Sequence, residues 1–249
     1  MGAVSYLNTK PLIYGFEKGM MKEWVELVFD YPSNIAAALL NDEIDIGLVP
    51  VAIIPERDNF QIVSDYCISC DGEVASVCLF SEVPVQEIKT VLLDYQSRTS
   101  VKLVQLLLKE YWEIDPVFEK AGIDFREKIS GDTAALVIGD RAFEQKQVST
   151  YSYDLGDAWK KMTGLPFVFA AWVSNKPLDD HFIQNFNAAN EYGLDHLDQV
   201  LAENPYQLFD LKTYYTHFIG YRLNDANKEG MASFFEKISP KIHQQNSFL

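Results

Sequence analysis

Ile35-Ala36-Ala37-Ala38-Leu39-Leu40, followed by Ile44-Asp45-Ile46-Gly47-Leu48-Val49, is the stretch that decides the fold. Pro32-Ser33-Asn34 opens it as a helix start, since proline is pre-set for the first turn and small polar residues satisfy free N–H groups. Ile35, Ala38 and Leu39 recur at helical spacing. Ile44 to Val49 is then apolar on both faces except at Asp45, the pattern of a parallel strand covered on both sides. Upstream, Gly2 to Leu7 and Val25 to Phe29 are strand candidates, and Thr9-Lys10-Pro11 opens a helix between them, with Thr9 as its expected cap. The N-terminal fifty residues therefore read as a right-handed βαβαβ unit.

Downstream the rhythm changes. Gln61 to Ser69 and Val74 to Ser81 are extended stretches around Cys70-Asp71-Gly72-Glu73, a hairpin or a crossover. After Pro84 the alternation resumes. Thr90 to Leu93 is a strand, and Ser97 to Trp112 a helix burying Val104, Leu107, Leu108 and Tyr111. Ala134 to Ile138 is a strand, Asp140 to Gln145 a short helix, Asp154 to Thr163 a helix and Phe167 to Val173 a long apolar strand. Helices are expected over 179–203, 205–218 and 224–238, and residues 244–249 as a frayed tail. With boundaries at Pro84 and Asn175-Lys176-Pro177, residues 1–83 and 174–249 form lobe I and residues 84–173 an inserted lobe II. This α/β organisation resembles the two-lobed type II periplasmic-binding-protein fold, with a ligand cleft between lobes, where small-molecule sites form.

Composition narrows the function. The 249 residues carry 21 Lys+Arg against 36 Asp+Glu, a net charge of −15. That argues against nucleic acid, which is held through basic side chains, and against an anionic membrane surface. No run of about 18 apolar residues is present to span a membrane. Three cysteines build no disulfide framework, and no basic-then-apolar leader opens the chain, so a cytoplasmic location is expected. Cys67-Ile68-Ser69-Cys70 lacks the second cysteine pair of a structural zinc site and reads as buried thiols. His181, His196, His217 and His243 all lie in the C-terminal helical region. Neither a dinucleotide nor a nucleotide phosphate loop is present.

The informative residues are polar clusters where strands end: Ser5-Tyr6-Leu7-Asn8-Thr9, Ser97-Arg98-Thr99-Ser100 and Gly139-Asp140. Each could be no more than a helix cap. Three at strand ends across two lobes point to a shared cleft. Arg98, among hydroxyls at a helix N-terminus, is the expected carboxylate receptor. A surface salt bridge is its bland alternative.

Six ordered blocks carry a resemblance: Val4-Ser5-Tyr6-Leu7-Asn8-Thr9-Lys10-Pro11-Leu12, Asp45 to Val51, Ser97 to Val101, Leu136 to Asp140, Thr163 to Ala170 and Ile219 to Leu223. Together they resemble the chorismate dehydratases of menaquinone biosynthesis by the futalosine route. The resemblance implies a periplasmic-binding-protein fold and loss of water from chorismate to give 3-[(1-carboxyvinyl)oxy]benzoate, without cofactor or metal. The sister 1,4-dihydroxy-6-naphthoate synthase shares the fold but carries a histidine in the strand-end segment that here reads Val137-Ile138-Gly139-Asp140. On this reading Asn8 is the catalytic residue, holding the leaving hydroxyl or orienting the enolpyruvyl group. Ser5, Tyr6, Thr9, Ser76, Arg98, Thr99, Ser100, Gly139 and Asp140 bind the substrate, with Lys10 a further cation. An amide is no base, so a substrate carboxylate is expected to take the proton. Asp45, Glu73, Asp94 and Asp140 are its competitors.

Overall fold

The computed structural model describes residues 1–238; the expected tail at 244–249 lies outside them. The chain opens with β1 (Gly2–Val4), a single 3-10 turn, and α1 (Lys10–Glu17). β2 (Val28–Asp30), α2 (Pro32–Leu40) and β3 (Ile46–Pro50) follow. β1 is parallel to both β2 and β3, as the βαβαβ reading requires. β1 stops three residues short of expectation because the chain turns at Tyr6 and the Leu7 N–H is donated to the Asp140 carboxylate at 3.1 Å. α1 is Pro-initiated, but Thr9 does not cap it.

β4 (Gln61–Cys70) and β5 (Val77–Ser81) resolve the hairpin-or-crossover alternative in favour of the crossover, since they belong to different sheets. β6 (Thr90–Leu93), α3 (Thr99–Glu110), β7 (Val117–Lys120), β8 (Thr133–Ile138), α4 (Arg141–Gln145), β9 (Tyr151–Asp154) and α5 (Leu155–Thr163) come next. β10 (Phe167–Ser174) then returns to the first sheet, followed by α6 (Asp180–Asp195), α7 (Leu197–Glu203), α8 (Leu211–Thr213), a π-helical turn at Tyr214–Phe218, β11 (Gly220–Arg222) and α9 (Asp225–Ile238). The helix expected over 179–203 breaks at His196, whose φ of −111° leaves the helical range. The one expected over 205–218 forms only from Leu211 onward.

The first sheet has strand order β11-β4-β10-β3-β1-β2, the second β7-β6-β8-β5-β9. Hydrogen bonding therefore corrects the lobe borders. β5 pairs antiparallel with β8 and β9 in the second sheet, and β10 pairs antiparallel with β3 and β4 in the first. The chain crosses between sheets within 71–76 and 155–166, not at residues 84 and 174. Proline and polar residues mark turns, but only ladder pairing decides which sheet owns an apolar strand. The core runs through both lobes, with Trp172, Leu12, Phe186 and Phe167 fully buried against the first sheet and Leu79, Leu136 and Leu107 against the second. Among the described residues no helix is long and apolar enough to cross a membrane.

Candidate active site

Between the two sheets lies a cavity of about 60 Å³ lined by Tyr6, Asn8 and Thr9 from the turn after β1, Ser97 and Ser100 at the amino end of α3, and Gly139 after β8. Its remaining walls are apolar: Val4, Ile68, Val74, Val77, Ile138 and Phe169, with Pro32 and Pro50. Larger grooves lie outside the cleft, about 470 Å³ beside Trp24 and about 240 Å³ beside Trp112. Neither holds any residue of the strand-end clusters.

Each lining residue is fixed by its element. The Tyr6 hydroxyl donates across the cleft to Gln96 Oε1, and burial raises its pKa, so it remains a donor. Thr9, fully buried, turns its hydroxyl to Asn8 Oδ1 at 3.3 Å instead of capping α1. Asn8 also lines the cavity, and its side-chain amide carries both an acceptor oxygen and N–H donors. The Asn8 carbonyl accepts from the Tyr221 hydroxyl at 3.0 Å. Ser97 Oγ accepts the Ser100 N–H at 3.0 Å and so caps the first turn of α3. Gly139 has φ +67°, and a Cβ there would meet the Tyr6 ring at 3.0 Å. Only glycine joins that backbone shape to that approach.

The other expected residues lie around the cavity. Ser5 is exposed. Ser76 is fully buried between cavity-lining Val74 and Val77. The Thr99 hydroxyl accepts the Ala52 N–H at 3.1 Å, a link between lobes. Asp140 accepts the Leu7 N–H from the opposite lobe; burial pushes its pKa up to about 6, with the Leu7 N–H and Lys10 pulling the other way. Lys10 lies over the Phe29 ring, 5.9 Å from its centre. Arg98 departs most from expectation. Its guanidinium pairs with Glu56 at 3.6 Å, about one-third exposed, and does not line the cavity. The helix start sends its side chain outward and turns the serines inward.

Sequence reasoning missed a second arginine. Arg141 donates to Asp94 Oδ2 at 2.6 Å and to Gln96 Oε1 at 2.7 Å, and its guanidinium lies 5.8 Å from the Tyr95 ring centre. Asp94 also accepts the Gln96 and Ile138 N–H groups. Burial raises its pKa against the pull of Arg141. Arg141 thus holds Gln96, which holds Tyr6. The signal was slight: an arginine one residue beyond a strand-end Gly-Asp.

Missed too was Tyr214, whose hydroxyl donates to Ser76 Oγ at 2.6 Å. Among the described residues, the buried polar side-chain atoms without a partner are Arg141 Nε and the Tyr215 hydroxyl oxygen.

None of the described residues lining the cavity is charged. None of the four carboxylates considered as bases lines the cavity. Asp45 pairs with Lys176 at 2.7 Å, Glu73 lies in the groove beside Trp112, Asp94 is held by Arg141 and Asp140 by Leu7. His181, His196 and His217 sit on or beside the C-terminal helices, and His243 lies outside the described residues. Cys67, Cys70 and Cys78 are all buried, and burial pushes the Cys67 thiol up to about 12.

A family described as menaquinone biosynthesis matches residues 1–240. The chorismate dehydratase of Thermus thermophilus is 26% identical over an alignment of 267 residues, covering 96% of this chain and 94% of that protein. Among solved structures, a protein from Archaeoglobus fulgidus matches with a TM-score of 0.78 at 14% identity, covering 96% of both chains. A Candida albicans protein, described as exhibiting the generic periplasmic-binding-protein fold, matches with a TM-score of 0.59 at 13% identity, covering 95% of this chain and 87% of that one. The chain has that two-lobed fold.

Proposed function

The chain belongs to the menaquinone-biosynthesis family, and from that premise we propose that it is a chorismate dehydratase acting in the cytoplasm on the futalosine route. One observation carries this reading: Tyr6, Asn8, Thr9, Ser100 and Gly139, taken from three of the blocks that resemble the dehydratases, converge on one cavity between the lobes.

Chorismate loses the hydrogen on the ring carbon that bears the enolpyruvyl ether and the hydroxyl on the neighbouring carbon. The electron pair of the broken C–H bond forms the third ring double bond, and water departs. Aromatisation supplies the driving force, so the protein's task is to orient the two leaving groups. In this reading the Asn8 amide donates to the departing hydroxyl, whose charge grows as the C–O bond breaks. The amino end of α3, with Ser97 and Ser100, receives a carboxylate through N–H and O–H donors. The substrate's own enolpyruvyl carboxylate takes the proton. That assignment is supported by the cavity lining, which contains none of Asp45, Glu73, Asp94 and Asp140.

Incubation of the purified chain with chorismate tests the reaction. The expected result is the ultraviolet spectrum of a substituted benzoate, with chorismate consumed in equal amount. Retention of chorismate without conversion would make the chain a solute receptor on the same fold. A loss of turnover in Asp140→Asn with chorismate affinity intact would move the proton to an enzyme base.

A further inference from the structure

Tyr214 lies in the only five-residue stretch of π-helix among the described residues, Tyr214–Phe218. Such turns are rare and recur at functional sites. Here the wide turn brings two consecutive tyrosines inside, Tyr214 fully buried and Tyr215 nearly so. The Tyr214 ring is packed edge-on against Phe143, with centroids 5.1 Å apart, and against Phe209 at 6.1 Å. Its place in the core is therefore set by the ring, and the hydroxyl is available for another task.

We propose that Tyr214 is a positioning residue that, by donating its O–H to Ser76 Oγ, commits the Ser76 hydroxyl to donate to an anionic oxygen of the ligand. The proposal rests on the reading of this cavity as a receptor for a cyclic dicarboxylate. A serine hydroxyl can donate or accept, and a carboxylate needs a donor. Tyr214 occupies a lone pair of Ser76 Oγ at 2.6 Å, so the serine hydrogen must point elsewhere. Its one protein acceptor is the Val74 carbonyl at 3.5 Å, too long to hold it firmly. The Ser76 backbone is fixed meanwhile, its carbonyl accepting the N–H of cavity-lining Gly139 at 2.9 Å. The Asn8 amide lies beside the same phenol. Burial keeps Tyr214 protonated, with Ser76 and Asn8 acting in the opposite direction. One tyrosine thus sits between Ser76 and Asn8, the side chain proposed to meet the leaving group.

The test is a double-mutant cycle by calorimetry, titrating chorismate and the inert aromatic dianion isophthalate into wild type, Tyr214→Phe, Ser76→Ala and the double variant. Tyr214→Phe keeps the ring and its packing. It is expected to weaken both ligands about tenfold, the worth of one hydrogen bond to a charged group. In the Ser76→Ala background the same change is expected to cost less than about twofold, because its target is gone. A general loosening of the core would instead give the full loss in both backgrounds. That result overturns the proposal, as does wild-type affinity in Tyr214→Phe or a wild type that binds neither ligand. Conversion of chorismate is scored separately. Coupled binding of isophthalate with no conversion overturns the dehydratase reading and leaves the Tyr214 assignment standing. Conversion with an uncoupled Tyr214→Phe overturns the assignment alone.

Discussion

At Gly139 the left-handed backbone and the ring of Tyr6 meet, and a methyl group there would press on the ring at 3.0 Å. Gly139→Ala is expected to cost about 1–2 kcal/mol in backbone strain, read as a lower urea midpoint. A further loss of kcat/KM is expected, because the Tyr6 ring must shift from its place in the cavity wall. The two arginines separate in the same assay. Arg98→Ala removes a part-exposed pair with Glu56 and should change stability by less than about 1 kcal/mol. Arg141→Ala strands Asp94, whose side chain is wholly buried, at a cost of about 3–5 kcal/mol. Equal effects would make the Arg141–Asp94 pair dispensable. Asp140 gives a pH signature. Its pKa is raised on folding to about 6, so the folded chain holds that proton more tightly than the unfolded one. Its contribution therefore favours folding at low pH and is lost as pH rises through a window from about 4 to 6, by at most about 3 kcal/mol. Asp140→Asn should flatten that part of the wild-type stability curve. An unchanged slope there would exclude the buried, Leu7-bonded carboxylate as its source.

Among the elements, the crossings between sheets depend on one side chain. Asp154 ends β9, and its carboxylate accepts the N–H groups of Val74 and Ala75 in the first crossing and of Gly156 and Asp157 at the start of the second. Burial raises its pKa against these four donors. Asp154→Ala should cost more than an ordinary helix cap, about 2 kcal/mol or above, and hydrogen exchange should quicken at residues 74–76 and 156–157 before the strand interiors. Protection unchanged at Val74 and Ala75 would show that other contacts hold the crossing. This staple was not legible in the sequence, where Asp154 read only as the first residue of a helix. The elements that were legible carry their reason locally: α3 in its apolar spacing, β3 and β10 in unbroken apolar runs, α2 in its proline start. β7, β9 and β11 were missed because Val117-Phe118-Glu119-Lys120, Tyr151-Ser152-Tyr153-Asp154 and Gly220-Tyr221-Arg222 are short edge strands. Such strands form because a neighbour offers unpaired N–H and C=O groups, which no window of sequence records. The hydroxyl clusters of the site were visible for the same local reason. The Arg141–Asp94 pair and the Tyr214–Ser76 bond, 47 and 138 residues apart, were not.

For the whole molecule, the charge of −15 and an uncharged cavity wall give one consequence for a dianionic ligand. The lobes meet through the Tyr6–Gln96, Leu7–Asp140 and Ala52–Thr99 bonds. The cavity of about 60 Å³ is smaller than the ~150 Å³ that holds a benzene, so on the proposed function chorismate enters only when the lobes part. During that approach the ligand meets the field of an acidic surface, with Arg98 neutralised by Glu56 and Arg141 by Asp94. Long-range charge then opposes binding, and the short-range donors of Asn8, Ser97, Ser100 and α3 must overcome it. Added salt shortens the reach of the surface field from about 30 Å at 0.01 M to about 8 Å at 0.15 M, while donors within the closed cleft are little screened. Raising sodium chloride over that range should therefore raise kcat/KM for chorismate, by a few-fold, with kcat nearly constant. An exposed cation steering the ligand inward requires the reverse, a steep fall with salt. A fall that disappears in Arg98→Ala would return Arg98 to the role of carboxylate receptor. A rise that persists in that variant assigns recognition to the neutral donors of the cleft.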